Sequence, residues 1–264
     1  MKIVKILAIY LLLLPVVPSL AWCSPTRPQV AILYSDYTLN WFIHGPPHHP
    51  DEPWGEREFY MYPDGWVKFL TARKVSYIIV SDSDIEVGRL SGIKVLILPN
   101  AAALSEKEVN NIQAFERHGG SIIATFGTSW LDEHGKIWHG GRFALWQLWG
   151  IPVSKGFGMF VKSIHIVKIS PVTTDVAIGM DVEYHANANT LETKEPILPR
   201  TSITAFLVDD SGKVTDHAAI VEREQKGKVV YFAFSPEYIY SLGEGRWTED
   251  MGDLMFNALA YCLE

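Results

Sequence analysis

The chain has 264 residues, a length that suits one large domain or one domain with an elaborated edge. Hydrophobic residues make up 48% and charged residues 20%, enough for a sizeable core. A net charge of −7, with no basic run longer than a pair, excludes the positive face that a nucleic-acid partner requires.

The N-terminus, MKIVKILAIYLLLLPVVPSLAWCSPTRP, sets Lys2 and Lys5 ahead of an apolar run from Ile6 to Val17, with small and polar residues from Ser19 to Ser24. This is the layout of a secretory signal peptide over 1–23, and it predicts a secreted or extracytoplasmic protein. Cleavage is expected after Ala21 or Cys23. The run is shorter than the ~20 apolar residues that span a bilayer, and Pro15 and Pro18 close it. Leu20-Ala21-Trp22-Cys23 resembles a bacterial lipobox, with Trp22 where that motif wants a small residue. Membrane contact is therefore expected only through this segment or through a lipid on Cys23. The other cysteine, Cys262, falls in an apolar helical run and reads as a buried, inert thiol.

QVAILYS (29–35) reads as a strand. The prolines and glycines of IHGPPHHPDEPWGERE (43–58) predict a loop that is neither helix nor central strand. DGWVKFLTARKV (64–75) spaces Trp66, Phe69 and Leu70 on one helical face. SYIIVSDSD (76–84) and KVLILPN (94–100) are continuous apolar runs, as expected of strands covered on both faces. In the next helix Ser105 and Glu108 form a capping box, Val109, Ile112 and Phe115 supply the apolar spacing, and Gly119 ends it. SIIATF (121–126) is a fourth strand.

Strands and helices at these intervals predict an α/β fold with a three-layer parallel sheet. After Pro152 the pattern changes. FVKSIHIVKIS (160–170) alternates, TSITAFLVDDSGKV (201–214) holds an Asp-Ser-Gly turn, and HAAIVEREQKGKVVYFAFS (217–235) reads as a hairpin turning at 225–227. The second arm of that hairpin is apolar enough to rejoin the main sheet. A final helix covers 249–264. One domain is thus expected over 29–264, with an antiparallel β-rich elaboration at about 155–215.

In an open parallel sheet, ligands sit outside the carboxyl ends of the strands. That rule gathers Tyr34, Asp36, Asp82, Asp84, Asn100, Ser129, Trp130, Asp132, Glu133 and Glu237 on one rim, acidic and aromatic, suited to hydroxyl-rich or cationic ligands. The candidate ligand-binding residues are Tyr34, Asp36, Trp41, Asn100, Trp130, Asp132 and Glu237. Gly127-Thr128-Ser129-Trp130-Leu131 resembles half of a nucleophile elbow: it has the first glycine and a serine, but Leu131 stands where a small residue is needed. No cysteine is available there, and no histidine stands in a context that marks it as base to Ser129.

Asp132 and Glu133 could serve as an acid/base pair for glycan hydrolysis, or Asp132 could cap the following turn while Glu133 is solvated. Ser129, Asp132 and Glu133 are the catalytic candidates. His44, His48, His49, Asp51 and Glu52 are metal-ligand types in a proline-rich loop without a second ligand pair, so no metal site and no cofactor is expected. Trp66, Trp146 and Trp149 read as core; Trp41, Trp54, Trp130 and Trp138 fall in rim loops where they could stack on sugars or anchor a protein neighbour.

The run VLILPNAAALSEKEVNNIQAFERHGGSIIATFGTSWLDEHG resembles the trimerisation domain of family 42 β-galactosidases, a member of the class I glutamine amidotransferase-like superfamily. The shared elements are a strand ending in Pro99-Asn100, a capped helix ending in Phe115 and Gly119-Gly120, a strand, and the Asp132-Glu133 turn. VAILYSD near the N-terminus and AAIVEREQKGKVVYFAFS near the end extend the likeness over most of 29–264. The resemblance implies a flavodoxin-like fold that lacks the amidotransferase cysteine and makes subunit contacts near the sugar site of a separate barrel domain. It also implies that the catalytic carboxylates belong to that barrel, of which this sequence shows no trace. Two further departures are the signal-type segment and the β insertion after Pro152. The function expected is a secreted, non-catalytic domain acting in carbohydrate binding or in assembly with itself or a protein partner. The alternative is an extracytoplasmic glycan-acting hydrolase using rim carboxylates.

Overall fold

The computed structural model describes residues 28–45, 55–152, 155–191, 193, 197–243 and 247–264. The signal-type segment with Cys23, and His48, His49, Asp51, Glu52 and Trp54, lie outside the described residues.

The chain begins with β1 (Val30–Tyr34), α1 (Asp36–His44), α2 (Glu56–Ala72), β2 (Tyr77–Ser81), α3 (Asp82–Glu86), β3 (Val95–Leu98), α4 (Glu106–Arg117) and β4 (Ser121–Thr125). A short α5 (Trp146–Trp149) leads into β5 (Lys155–Ile166), β6 (Asp181–Thr190), β7 (Thr201–Asp209), β8 (Val214–Glu224) and β9 (Lys228–Phe232). Then come α6 (Pro236–Leu242) and α7 (Glu249–Leu263). The strands form one mixed nine-stranded sheet in the order β2-β1-β3-β4-β9-β8-β7-β5-β6. The first five are parallel, with Ile32 beside Ile97, Ile97 beside Ile123 and Ile123 beside Val230. From β9 onward every pairing is antiparallel.

Alternation along each strand divides the core in two. Val30, Ile32, Val95, Ile97 and Ile123 pack with Trp66, Phe69 and Leu70 of α2 and with Leu254, Met255 and Ala258 of α7. Ala31, Leu33, Leu96, Leu98 and Ile122 face the other way, onto Ile85 of α3, Val109 and Ile112 of α4, and Leu148 and Trp149 of α5. Burial of Trp66 and Trp149 follows the sequence reading, and Trp149 stacks on Tyr231 with ring centroids 4.2 Å apart. Cys262 is also buried, and burial pushes its thiol up.

The capping box at α4 is formed in both directions: Ser105 Oγ accepts from Glu108 N at 3.2 Å, and Ser105 N donates to Glu108 Oε2 at 2.7 Å. Gly119, at φ 94°, takes the left-handed turn that ends the helix. The hairpin at 225–227 closes where expected, and its second arm, β9, rejoins the parallel strands beside β4.

Four expectations are corrected. The rim-loop reading of Trp41 fails because Ser35 caps a helix there, its Oγ accepting from Thr38 N, and Trp41 is buried on α1. The predicted loop over 43–58 is too long at both ends, since Ile43 and His44 belong to α1 and Glu56 to Glu58 open α2. The strand read over 76–84 stops at Ser81, where a second capping box starts α3. That strand is also the sheet edge, and Ile78 and Ile79 are exposed. Finally, the antiparallel β-rich elaboration continues the parallel strands in one sheet, so the sheet is mixed and not parallel throughout.

Candidate functional site

The sharpest backbone at the carboxyl end of the sheet lies one residue past β4. Phe126 has φ 45°, and Asn100 after β3 and Ser129 further along have φ 43° and 66°. Side-chain-bearing residues adopt this region only when their surroundings enforce it. Here the enforcement is a continuous hydrogen-bond chain. Asn100 N donates to Thr125 Oγ1 at 2.9 Å, and Asn100 Oδ1 accepts from Gly127 N at 3.0 Å. Thr125 Oγ1 donates onward to Glu237 Oε1 at 2.5 Å. The Phe126 carbonyl accepts from the Asn189 side-chain amide and the Tyr231 hydroxyl. Asn189 comes from β6, whose end curls back so that Asn189 N also donates to Ala233 O at 2.7 Å. The antiparallel half of the sheet thus roofs the bend after β4.

Ser129 is fully buried in this arrangement. Its N–H donates to Ala101 O at 2.8 Å, and its hydroxyl accepts from Leu145 N at 3.0 Å. The hydroxyl therefore pins the 143–145 segment. Glu237, in the first turn of α6, is also fully buried, and burial pushes its carboxyl up to about 8 despite the Thr125 hydrogen bond that opposes the shift. It is a neutral acid over most of the physiological range.

A buried acid pair, Asp82 and Glu108, lies between α3 and α4. Asp82 Oδ2 accepts from Tyr37 N at 3.0 Å. Burial, and then the charge of Asp82 beside it, push the Glu108 carboxyl well above the ordinary glutamate range. Nearby Glu86 Oε1 accepts from Tyr37 Oη at 3.1 Å and Ser105 Oγ at 2.7 Å. The group fixes α1 against α3 and α4.

The open part of the rim is a surface cleft of about 160 Å³ between the C-terminal end of α1 and the 133–135 turn. Tyr37, Asn40, Trp41 and His44 line one side, Glu133 and His134 the other. Asp132 builds that turn, its Oδ1 accepting from His134 N at 2.9 Å and Lys136 N at 2.8 Å. Gly135, at φ 74°, lies against Trp41, where an added Cβ would come within 3.0 Å of the indole. Trp130 meets Trp41 edge-on at 5.5 Å.

The residues gathered by the strand-end rule therefore separate into groups. Asn100 and Glu237 belong to the buried chain, with Ser129 anchored beside it. Trp41 and Glu133 share the open cleft, supported by Trp130 and Asp132. Tyr34 stands apart, half-buried, donating to Asp64 Oδ1 at 2.6 Å, and Asp36 is exposed in the first turn of α1. Sequence reasoning did not find Thr125, Asn189, Tyr37 or Asn40; Glu108 was visible only as a helix cap. Among the described residues, no group of three or more His, Cys, Asp or Glu could hold a metal ion, and no helix is long and apolar enough to cross a membrane.

The sequence profile of the β-galactosidase trimerisation domain matches residues 29–242. No curated protein matches the chain by sequence. Among solved structures, the β-galactosidase of Bacillus circulans sp. alkalophilus is similar at 16% identity and TM-score 0.63, over 89% of this chain and 31% of that one. The α-L-fucosidase isoenzyme 2 of Paenibacillus thiaminolyticus is similar at 18% identity and TM-score 0.59, over 92% and 34%. A protein from Bacteroides uniformis described as thua-like is similar at 11% identity and TM-score 0.57, over 90% and 93%. At these identities the likeness is one of fold. The chain spans about a third of the length of the two glycosidases it matches.

Proposed function

The chain belongs to the β-galactosidase trimerisation domain family, and from that membership we propose that it works by assembly, associating with copies of itself or with a protein partner. The observation that carries this reading is the family match over residues 29–242. Assembly rather than covalent catalysis is supported by the use of the strand-end groups: the Ser129 hydroxyl is buried on Leu145 N, and Phe126 occupies the bend with its carbonyl held by Asn189 and Tyr231. A flavodoxin-like, class I amidotransferase-like layering is supported by the strand order β2-β1-β3-β4-β9 and by helices on both faces. Action outside the cytoplasm is supported by the signal-type layout of the first 23 residues.

A second reading, carbohydrate binding, is favoured by the cleft, where Asn40, Glu133, His44 and Tyr37 set hydrogen-bonding groups around the edge of Trp41. Light scattering on the purified protein tests the first reading, with a multimer expected. A single-chain mass at every concentration, with no partner recovered, sinks it. Titration with monosaccharides and short glycans, run beside a hydrolysis assay, tests the second. Turnover abolished by Glu133→Gln would replace both readings with that of a hydrolase.

A further inference from the structure

The starts of the five parallel strands stand level. Their register sets Val30 beside Tyr77 and Val95, Val95 beside Ser121, and Ile122 beside Val229. Basic residues precede or open four of those strands: Arg73 and Lys74 before β2, Lys94 before β3, Arg117 before β4, and Lys226 and Lys228 at the start of β9. The sequence holds no basic run longer than a pair, so the strip exists only once the register gathers it. Among the acids at this end, Glu116 is buried and accepts from Gly227 N at 3.1 Å, Glu264 lies 3.4 Å from Lys228 Nζ, and Glu224 is exposed. The opposite ends of the same strands carry the acidic rim, with Asp36, Asp84 and Glu133. Charge is therefore polarised along the strand direction.

Helix ends explain part of the strip, because cations there offset the partial negative charge of the last carbonyls. Lys228 Nζ donates to Tyr261 O at 2.9 Å and Lys94 Nζ to Leu263 O at 3.5 Å, both at the end of α7, and Arg117 stands in the last turn of α4. Lys226 has no such use. Its side chain is exposed and bonds to nothing among the described residues. With Lys94, Lys228 and Ser121 it lines a surface cavity of about 250 Å³.

We infer that this strip is a docking face for the anionic phospholipid headgroups of the membrane that carries the N-terminal segment. The tether chooses lipid over any other polyanion. The chain enters the sheet at this end, and Cys23 lies seven residues before Val30, so the stretch between them spans at most about 25 Å. An apolar segment or a lipid on Cys23 that stays in the bilayer brings this face to the headgroups, not the acidic rim. Shape agrees with the tether. A whole-chain charge of −7 opposes a polyanion that wraps the protein, whereas a flat bilayer meets one face alone. The cleft beside α1 then points away from the membrane. The inference goes beyond the assembly reading and does not rest on it; a cyclic assembly with its axis along the membrane normal lays the same face of every copy on the bilayer.

Co-sedimentation of the full chain with vesicles of phosphatidylcholine, alone or with added phosphatidylglycerol, tests it. Wild type should bind the anionic vesicles about tenfold or more tightly, and the preference should fade between about 0.1 M and about 1 M salt as screening shortens. Lys226→Glu with Arg117→Glu should remove most of that preference while leaving binding to phosphatidylcholine and the circular-dichroism spectrum unchanged, since both residues are exposed. The same charge change at the opposite end, Lys136→Glu with Lys213→Glu, should alter the preference by less than about twofold, because those residues lie more than a screening length from the bilayer. Lys2 and Lys5 are present in all three proteins, so a preference that survives the Lys226 and Arg117 reversal belongs to them and overturns the face. Equal binding of wild type to both vesicles, or equal losses from the two reversals, overturns it as well. The assembly reading is read from mass in solution and stands or falls apart from these outcomes.

Discussion

At the carboxyl end of the sheet, residues 126–135 first form a closed structure and then border an open one. Around Phe126 and Ser129 the backbone is in left-handed conformations, the side chains are buried, and the polar groups are tied to Asn100, Asn189, Tyr231 and Leu145. Around Glu133 and His134 the polar groups face solvent beside α1, in a turn held mainly by Asp132. Strain in the first region is sustained because many hydrogen bonds oppose its release. The second can change without cost to the core. Substitutions at the cleft therefore act on its open lining, while substitutions at the bend act on stability.

The largest expected contrast is in pH dependence. Glu237 is buried in the closed region with its carboxyl raised to about 8, against about 4.5 when the chain unfolds. A group raised in the folded state contributes stability that is complete below the unfolded value and is lost as pH rises through the folded one. The folded chain should therefore lose up to about 1.4 kcal/mol per pH unit from this group between those limits. Glu108 acts with the same sign. Urea unfolding at pH 5 and pH 8 should show wild type losing about 2–4 kcal/mol relative to Glu237→Gln over that interval. Parallel pH profiles for the two proteins would show that Glu237 is ionised in the fold.

Next in size is Gly65→Ala. Gly65, on α2, lies so close to α6 that an added Cβ would sit 2.1 Å from the Glu237 carbonyl oxygen. The two helices would have to separate, at a cost of about 1–3 kcal/mol. Thermal unfolding should report this as a lowered midpoint. An unchanged midpoint would mean that α6 yields freely and that the closed region is less rigid than its hydrogen bonds imply.

Local signals were legible in the sequence and distant ones were not. The capping box at Ser105 and Glu108 and the turn at Gly119 lie within one helix of each other, so the sequence expresses them directly. Asn100 and Glu237 were placed at the right end of the sheet because strand ends follow from apolar runs. Helix α1 went unread although Ser35 and Asp36 are an N-terminal signal, because Tyr37, Thr38 and Asn40 are weak helix formers. The edge position of β2 could not be read: an apolar run has the same pattern whether a neighbour covers it or not. The bond from Asn189 to Phe126 joins residues 63 positions apart and follows only from the curl of β6.

The smallest effects compare neighbours on the same turn. Ser129→Ala removes the acceptor of Leu145 N and leaves a buried N–H unpaired, which should cost about 1–3 kcal/mol. Glu133→Gln changes a carboxylate whose side chain is 31% exposed and lies 3.8 Å from the His134 ring, itself 71% exposed. Its effect on stability should stay within about 0.5 kcal/mol. Denaturant titration of the two variants beside wild type therefore separates the regions directly. If Ser129→Ala proved as mild as Glu133→Gln, the Leu145 contact would contribute little, and the bend after β4 would be free to serve something other than the fold. If Glu133→Gln proved as costly as Ser129→Ala, the cleft would be part of the folded scaffold, and its polar lining would lose its claim to be a recognition surface.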